Sequence, residues 1–393
     1  MHLIYVYSGC SPKKYKEYIE NKGIRVQQQA QKYNQLLMEG LVENGAKVDA
    51  VSSRPINRAV DSKLFYKSEK DSANGINYSY VPFINYPILR NLTVFFSVFF
   101  KMLFMSTEKE RVMVCDALSI IASFAALIAC KIRGIRTVGI VTDVPCHRPD
   151  NVKIPLHEKI NLSLMKKFDS YLLLTEQMND IVNPKNRPYV VLEGHSDVSM
   201  AKVENKFENK YEKKVCFYAG TLRKVYGIEN LVRGFIKADI PNTELHIYGE
   251  GDFRKELEEL VKEYSSVKYM GIAPNNVIVE NELKATLLVN PRPTDADYTK
   301  YSFPSKNMEY MASGTPVLTT CLPGMPKEYN DYVFLLKEET VDGVADALQE
   351  IFKNSPEELH AKGMSAKEFV MKEKNNVVQA EKLLKMISDM EAS

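Results

Sequence analysis

Apolar and polar positions along this chain follow two rhythms that take turns. Short β-branched or apolar runs at 3–7, 47–51, 111–115, 137–141, 171–174 and 189–192 read as buried strands. Between them Val26, Ala30, Tyr33, Leu37 and Leu41 recur at helical spacing, as do Leu118, Ile121, Ala122, Ala125 and Ile128. Gly45 and Gly134 stand where a helix would hand over to a strand, which predicts C-caps there. A charged stretch over 203–214 (VENKFENKYEKK) breaks the pattern and reads as an interdomain connection. The alternation then restarts, with strands predicted over 215–219, 245–248, 286–290 and 316–319 and helices over 227–237, after Asp252 and over 305–313. This predicts an α/β chain with parallel sheets covered on both faces: an N-terminal domain over 1–203, a linker over 204–214 and a second domain over 215–372. Ligands of such domains bind at the carboxyl ends of the strands, so a cleft facing both sets is expected.

Composition narrows the function. With 393 residues, 45% hydrophobic and 26% charged, the chain is globular and long enough for two or three domains. Its 52 basic residues against 50 acidic ones leave a net charge of +2, which argues against a nucleic-acid partner. Cysteines at 10, 115, 130, 146, 216 and 321 form no C-x-x-C and lie mostly in apolar runs, which suits a cytoplasmic location. The first residues read as a strand and not as a leader peptide. The greasiest run, LTVFFSVFFKMLF over 92–104, is interrupted by Lys101 and falls short of the roughly 18–20 apolar residues of a spanning helix. A buried helix is the favoured reading, with an element on a membrane surface as the other.

Candidate chemistry gathers at strand ends. In the run from Tyr301, YSFPSKNMEYMASGTPV, a helix opens near Ser302 and Ser305, with Pro304 in its first turn, just after a strand and its Arg292. A helix tip there presents free N–H groups to a phosphate; Lys306 adds charge, and Glu309 can accept from a ribose diol. An ordinary capped helix with a Lys–Glu pair fits the same spacing. Arg223 and Lys224, after Gly220 in the turn GTLRK, could neutralise a diphosphate. Gly249 and Gly251 in YGEGD lack a dinucleotide fingerprint, and read as letting backbone approach a base. Asp143 and His147 follow the strand ending at Val141 and are the candidate catalytic groups; Asp143 could equally be a turn former. The pair Asp295 and Asp297 has the D-x-D form that binds a divalent metal with a diphosphate, but it falls late in a second domain where metal-using sugar transferases carry it in a single one, and Cys146-His147 has no partner pair at zinc spacing, so no metal is expected.

The segments AGTL, IYGEGDFRKEL, LLVNPR, SFPSKNMEYMASGTPVL and LPGMPKEY over 215–335, with GIVTDVP earlier, resemble the retaining GT-B glycosyltransferases of family GT4, particularly bacterial exopolysaccharide or capsule members. The resemblance implies two facing Rossmann-like domains, donor nucleotide on the second and acceptor on the first, and a C-terminal helix over 373–393 crossing back to the first. It implies a nucleotide-sugar donor, a glycan or lipid-linked acceptor, and no cofactor beyond the co-substrate; the apolar stretch Phe95–Phe104 would fit docking near lipid-linked acceptors on the inner membrane face. Glu309 matches the second Glu of the family's E-x7-E motif, while Tyr301 stands where the first would be. Thr221 and Tyr226 stand where the family carries a phosphate-binding Arg and Lys, so Arg223, Lys224, Arg292 or Lys306 would have to take over. The implied reaction retains configuration, with a leaving diphosphate oxygen taking the acceptor proton. The alternatives are a silent nucleotide-binding partner subunit and a nucleotide-sugar 2-epimerase.

Overall fold

The computed structural model describes residues 1–22, 28–106, 111–145 and 155–392. The chain divides into two compact units, one of Met1–His195 with the C-terminal segment from Asn376, the other of Ser196–Asn375.

The first unit is built on an eight-stranded sheet. Its strands are β1 (His2–Tyr7), β2 (Lys47–Ser52), β3 (Glu69–Ala73), β4 (Ile76–Tyr80), β5 (Arg111–Asp116), β6 (Arg136–Val141), β7 (Ser170–Leu173) and β8 (Tyr189–Val191). Their order is β8-β7-β6-β5-β1-β2-β4-β3, parallel except for the β3–β4 hairpin. Strand β1 is buried at every position, as a central parallel strand with both faces covered must be. The order reverses between β1 and β5, and the carboxyl ends of those strands form the switch point. The hairpin was not foreseen, although Asn74-Gly75 at its tip, with φ of 51° and 76°, is the dipeptide that a two-residue turn favours. The C-terminal helix Asn376–Ala392 packs against the helix Gln28–Glu43 of the same unit.

The second unit holds six parallel strands, β9 (Lys214–Ala219), β10 (Thr243–Tyr248), β11 (Val267–Tyr269), β12 (Leu287–Asn290), β13 (Val317–Thr319) and β14 (Phe334–Leu335), in the order β11-β10-β9-β12-β13-β14. Its switch point lies between β9 and β12. Helix Ile228–Ala238 turns Ile228, Leu231, Val232 and Phe235 into the core with Leu245, Leu287 and Leu348. Burying such side chains contributes roughly 1.5–3 kcal/mol each.

Three expectations are corrected. The polar run read as a linker belongs to the second unit, whose boundary falls at Ser196 and not at 204. Asn205 in that run is buried on Ser313 and Thr315, and Lys210 caps carbonyls of Leu283 and Ala285 at 2.8 and 2.9 Å. At the other end the second unit runs on to Asn375, past the expected limit of 372. The greasy run lies in helix Leu89–Phe104, which buries only Val94, Val98 and Met102 fully and leaves its other face exposed. No helix among the described residues is long and apolar enough to cross a membrane.

Candidate active site

The switch point of the second sheet is assembled from glycine approaches and buried amides. At the end of β9, the Lys306 ammonium donates to the carbonyl of Ala219. A Cβ on Gly220 would lie 2.5 Å from that nitrogen, so any side chain there would push the lysine's end out of this position. The loop after β10 closes behind: a Cβ on Gly249, whose φ is +138°, would meet the Gly220 carbonyl oxygen at 1.7 Å, and one on Gly251 the Leu222 oxygen at 2.2 Å. What lies against the Cα atoms of these two glycines is the 220–222 turn.

Lys306 is the second residue of the helix Ser305–Ser313, which no side chain caps. That leaves the helix tip and its dipole open to an anion. Burial pushes the Lys306 ammonium below the ordinary lysine range, and the charges of Glu309 and Glu282 partly restore it. The helix is pinned from beneath: Asn290 donates to Asn307 at 2.7 Å, and Asn307 to Thr319 at 3.0 Å, across β12 and β13. Tyr310 donates back to the Ala219 carbonyl and accepts from the Ala219 N–H.

Arginines gather about a tyrosine. The guanidinium of Arg223 lies 5.6 Å from the Tyr226 ring centroid and that of Arg292 5.7 Å from it, with Tyr298 on Arg292 at 5.2 Å. The Arg292 Nε is buried and has no hydrogen-bond partner. Arg223 otherwise faces Asp252 at 3.9 Å, a long contact between exposed groups. Gly227 brings Tyr226 to this loop, because a Cβ there would lie 2.0 Å from the Pro291 oxygen.

Lys224 does not join this group. Its ammonium is held by Glu256 at 2.6 Å and Glu229 at 3.1 Å, which raises its pKa and spends its charge on carboxylates. Ser302 is half-buried; Ser305 and Glu309 are exposed on the same segment. Asp295 and Asp297 are exposed, and Asp297 pairs with Lys300 at 3.4 Å. No cluster of metal-ligating side chains occurs among the described residues.

In the first unit, exposed Asp143 accepts from the N–H of Val144 at 2.8 Å, the habit of a turn former. His147 lies outside the described residues. The switch point there holds a carboxyl that sequence reasoning missed. Asp116 accepts from the Ser119 hydroxyl at 2.8 Å and the Leu118 N–H at 3.0 Å, and Ser119 in turn accepts from the Ser8 N–H. Burial raises the Asp116 pKa, and those two donors oppose the rise. The only signal was an Asp at the end of an apolar run, which is common.

Residues 200–369 match the profile of a family described as glycosyl transferases group 1. No curated protein sequence matches the chain. Among solved structures, sucrose-phosphate synthase from Thermosynechococcus elongatus is similar at 14% identity and TM-score 0.66, over 100% of this chain and 99% of that one. A UDP-forming trehalose-phosphate synthase from Burkholderia xenovorans is similar at 10% identity and TM-score 0.68, over 98% of both chains. Anabaena HepE, solved in complex with UDP, is similar at 13% identity and TM-score 0.63, over 99% and 100%. Residues 200–369 thus match the glycosyl transferases group 1 family, and the chain has the GT-B fold.

Proposed function

We propose that the protein is a retaining, metal-independent glycosyltransferase that moves a sugar from a nucleotide-sugar donor to a glycan or lipid-linked acceptor, in exopolysaccharide or capsule assembly. The single observation carrying this reading is the Lys306 ammonium, held on the Ala219 carbonyl beside Gly220 and an uncapped helix tip. The Anabaena protein binds UDP, which favours a nucleoside diphosphate as the group held here.

The chemistry asks little else of the protein. As the anomeric bond lengthens, negative charge grows on the leaving diphosphate and positive charge on the sugar ring. Donors fixed in advance around the diphosphate lower that barrier more than they tighten ground-state binding. Lys306, the N–H groups of Ser305 and Lys306, Arg292 and Arg223 are the groups assigned to it. Burial makes the Lys306 charge costly without an anion, so a diphosphate restores it as it binds. Tyr226, where relatives of this type carry a lysine, would supply its cations indirectly through the two guanidiniums beside its ring. Glu309 is assigned to the ribose.

A thermal-shift series of nucleoside diphosphates and nucleotide sugars tests the reading, since a true donor raises the melting temperature by mass action. No shift with any of them, in the wild type and in Lys306→Ala alike, would sink it. One observation favours a second reading, a silent nucleotide-binding subunit: the charge of Lys224 is spent on Glu229 and Glu256. That reading predicts a shift with no transfer or hydrolysis of the donor.

A further inference from the structure

The helix Leu89–Phe104 shows a face that no described residue covers. Val94, Val98 and Met102 are buried, and the helix packs on helix Ile120–Arg133. On the other side Ile88, Leu89, Leu92, Phe96, Phe100 and Phe104 are 44–76% exposed. Five of them recur every four residues, so they form one row along the helix. Phe96, Phe100 and Phe104 stack in succession with centroids 6.2 and 6.1 Å apart. One exposed apolar side chain means nothing, but a row of this length marks a contact surface.

Backbone strain sits at the head of the row. Ile88 has φ 66° and ψ −54°, closed by a hydrogen bond of 2.8 Å from the Leu89 N–H to the Pro87 carbonyl. This is the rare form of three-residue turn, and a β-branched residue strongly disfavours it. Strain of this kind costs about 1–3 kcal/mol. Here it holds an isoleucine out into solvent, 76% exposed.

Charge says what the face meets. Helices Leu89–Phe104 and Ile120–Arg133 carry not one carboxylate; Arg90 is turned inward onto the Ile56 and Arg54 carbonyls, and Lys101, Lys131 and Arg133 remain as cations near the C-terminal ends of the two helices. We infer that this face seats on an anionic bilayer surface, the phenylalanine row lying among the upper acyl chains and the cations beside the headgroups. The helix lies along the interface and does not cross it: 16 residues span about 24 Å, short of the roughly 30 Å hydrocarbon core. A second copy of this chain is disfavoured as the occupant, because a symmetric contact would bring these acid-free helices together with no opposing charge. Long basic side chains can extend past apolar neighbours to headgroups, and anionic lipid strengthens such binding. The inference is independent of what the candidate active site binds.

Cosedimentation of the full chain with vesicles tests it. Phosphatidylcholine vesicles containing phosphatidylglycerol should carry the protein down, and phosphatidylcholine alone should carry down much less. The variant Phe96→Ser/Phe100→Ser/Phe104→Ser should bind anionic vesicles at least roughly tenfold more weakly. Its melting temperature and its nucleotide-dependent thermal shift should stay those of the wild type, which separates this test from that of the transferase reading. Lys131→Glu, at an exposed position, should weaken binding to anionic vesicles alone. Complete recovery of the wild type in the supernatant overturns the inference, as does equal binding to neutral and anionic vesicles. A wild-type dimer that the triple variant turns into a monomer, with no vesicle binding, assigns the face to a second copy instead. If the triple variant unfolds, Phe96→Ser alone decides, because one exposed ring cannot hold the fold.

Discussion

Each of the two sheets reverses its strand order once, and their switch points carry opposite chemistry. At the first, between β1 and β5, a buried carboxyl is locked by Ser119 and Leu118, and the Ser8 N–H is already occupied by the Ser119 hydroxyl. At the second, between β9 and β12, an ammonium and an uncapped helix tip converge, with two guanidiniums around one ring nearby. A diphosphate brought to the first would meet a carboxyl, and at the second it would meet cations. Fold alone therefore does not decide which crevice holds phosphate; a handful of loop side chains does.

The contrast can be broken most sharply at Lys306. Lys306→Ala should lower kcat/KM for the donor by about a hundredfold, the usual loss when one charge-stabilising donor is removed from a reacting centre. Steady-state kinetics at varied donor concentration would read it, and an unchanged value would end the assignment. Gly220→Ala should cost about tenfold in the same measurement, because the new methyl collides with the lysine's flexible end while the melting temperature hardly moves. Next in size is pH. Because burial lowers the Lys306 pKa, its charge is present below that value and lost as pH rises through it. Donor affinity should thus fall several-fold on the alkaline side, earlier than an ordinary lysine would dictate. A titration of donor Kd against pH would show this, and the step should vanish in Lys306→Ala.

The smallest effects sharpen the comparison by their smallness. Lys224→Ala should change kcat/KM by less than about threefold, since exposed pairs with carboxylates contribute little. Asp116→Asn should leave donor Kd within about twofold, because its carboxyl belongs to the other unit's switch point and is occupied by Ser119 and Leu118. A tenfold loss in donor affinity from Asp116→Asn would mean that the division of labour drawn above is wrong.

Much of this was legible in the chain. The βα alternation placed ten strands and the helix Ser305–Ser313, because fully buried parallel strands and one-sided helices leave strong periodic marks. The hairpin of β3 and β4 was lost because its outer strand, EKDSA, is polar and carries no such mark. The supposed linker misled for a related reason: Lys210 and Asn205 look solvated until residues 73 to 110 positions later supply their partners. At the candidate site, Lys306 and Arg292 could be picked out from position. Lys224 could not be rejected, since Glu256 lies 32 residues onward and reaches it only through the fold. Asp116 was silent because a side chain at a strand end says nothing of its burial.

The amide ladder from Asn290 through Asn307 to Thr319 has a thermodynamic corollary. It locks the helix tip to two strands when the polypeptide folds, so an arriving anion finds its N–H groups already aimed. Entropy that a loose loop would surrender at the moment of association is here surrendered beforehand, during folding. Affinity at such a spot owes as much to stillness as to charge.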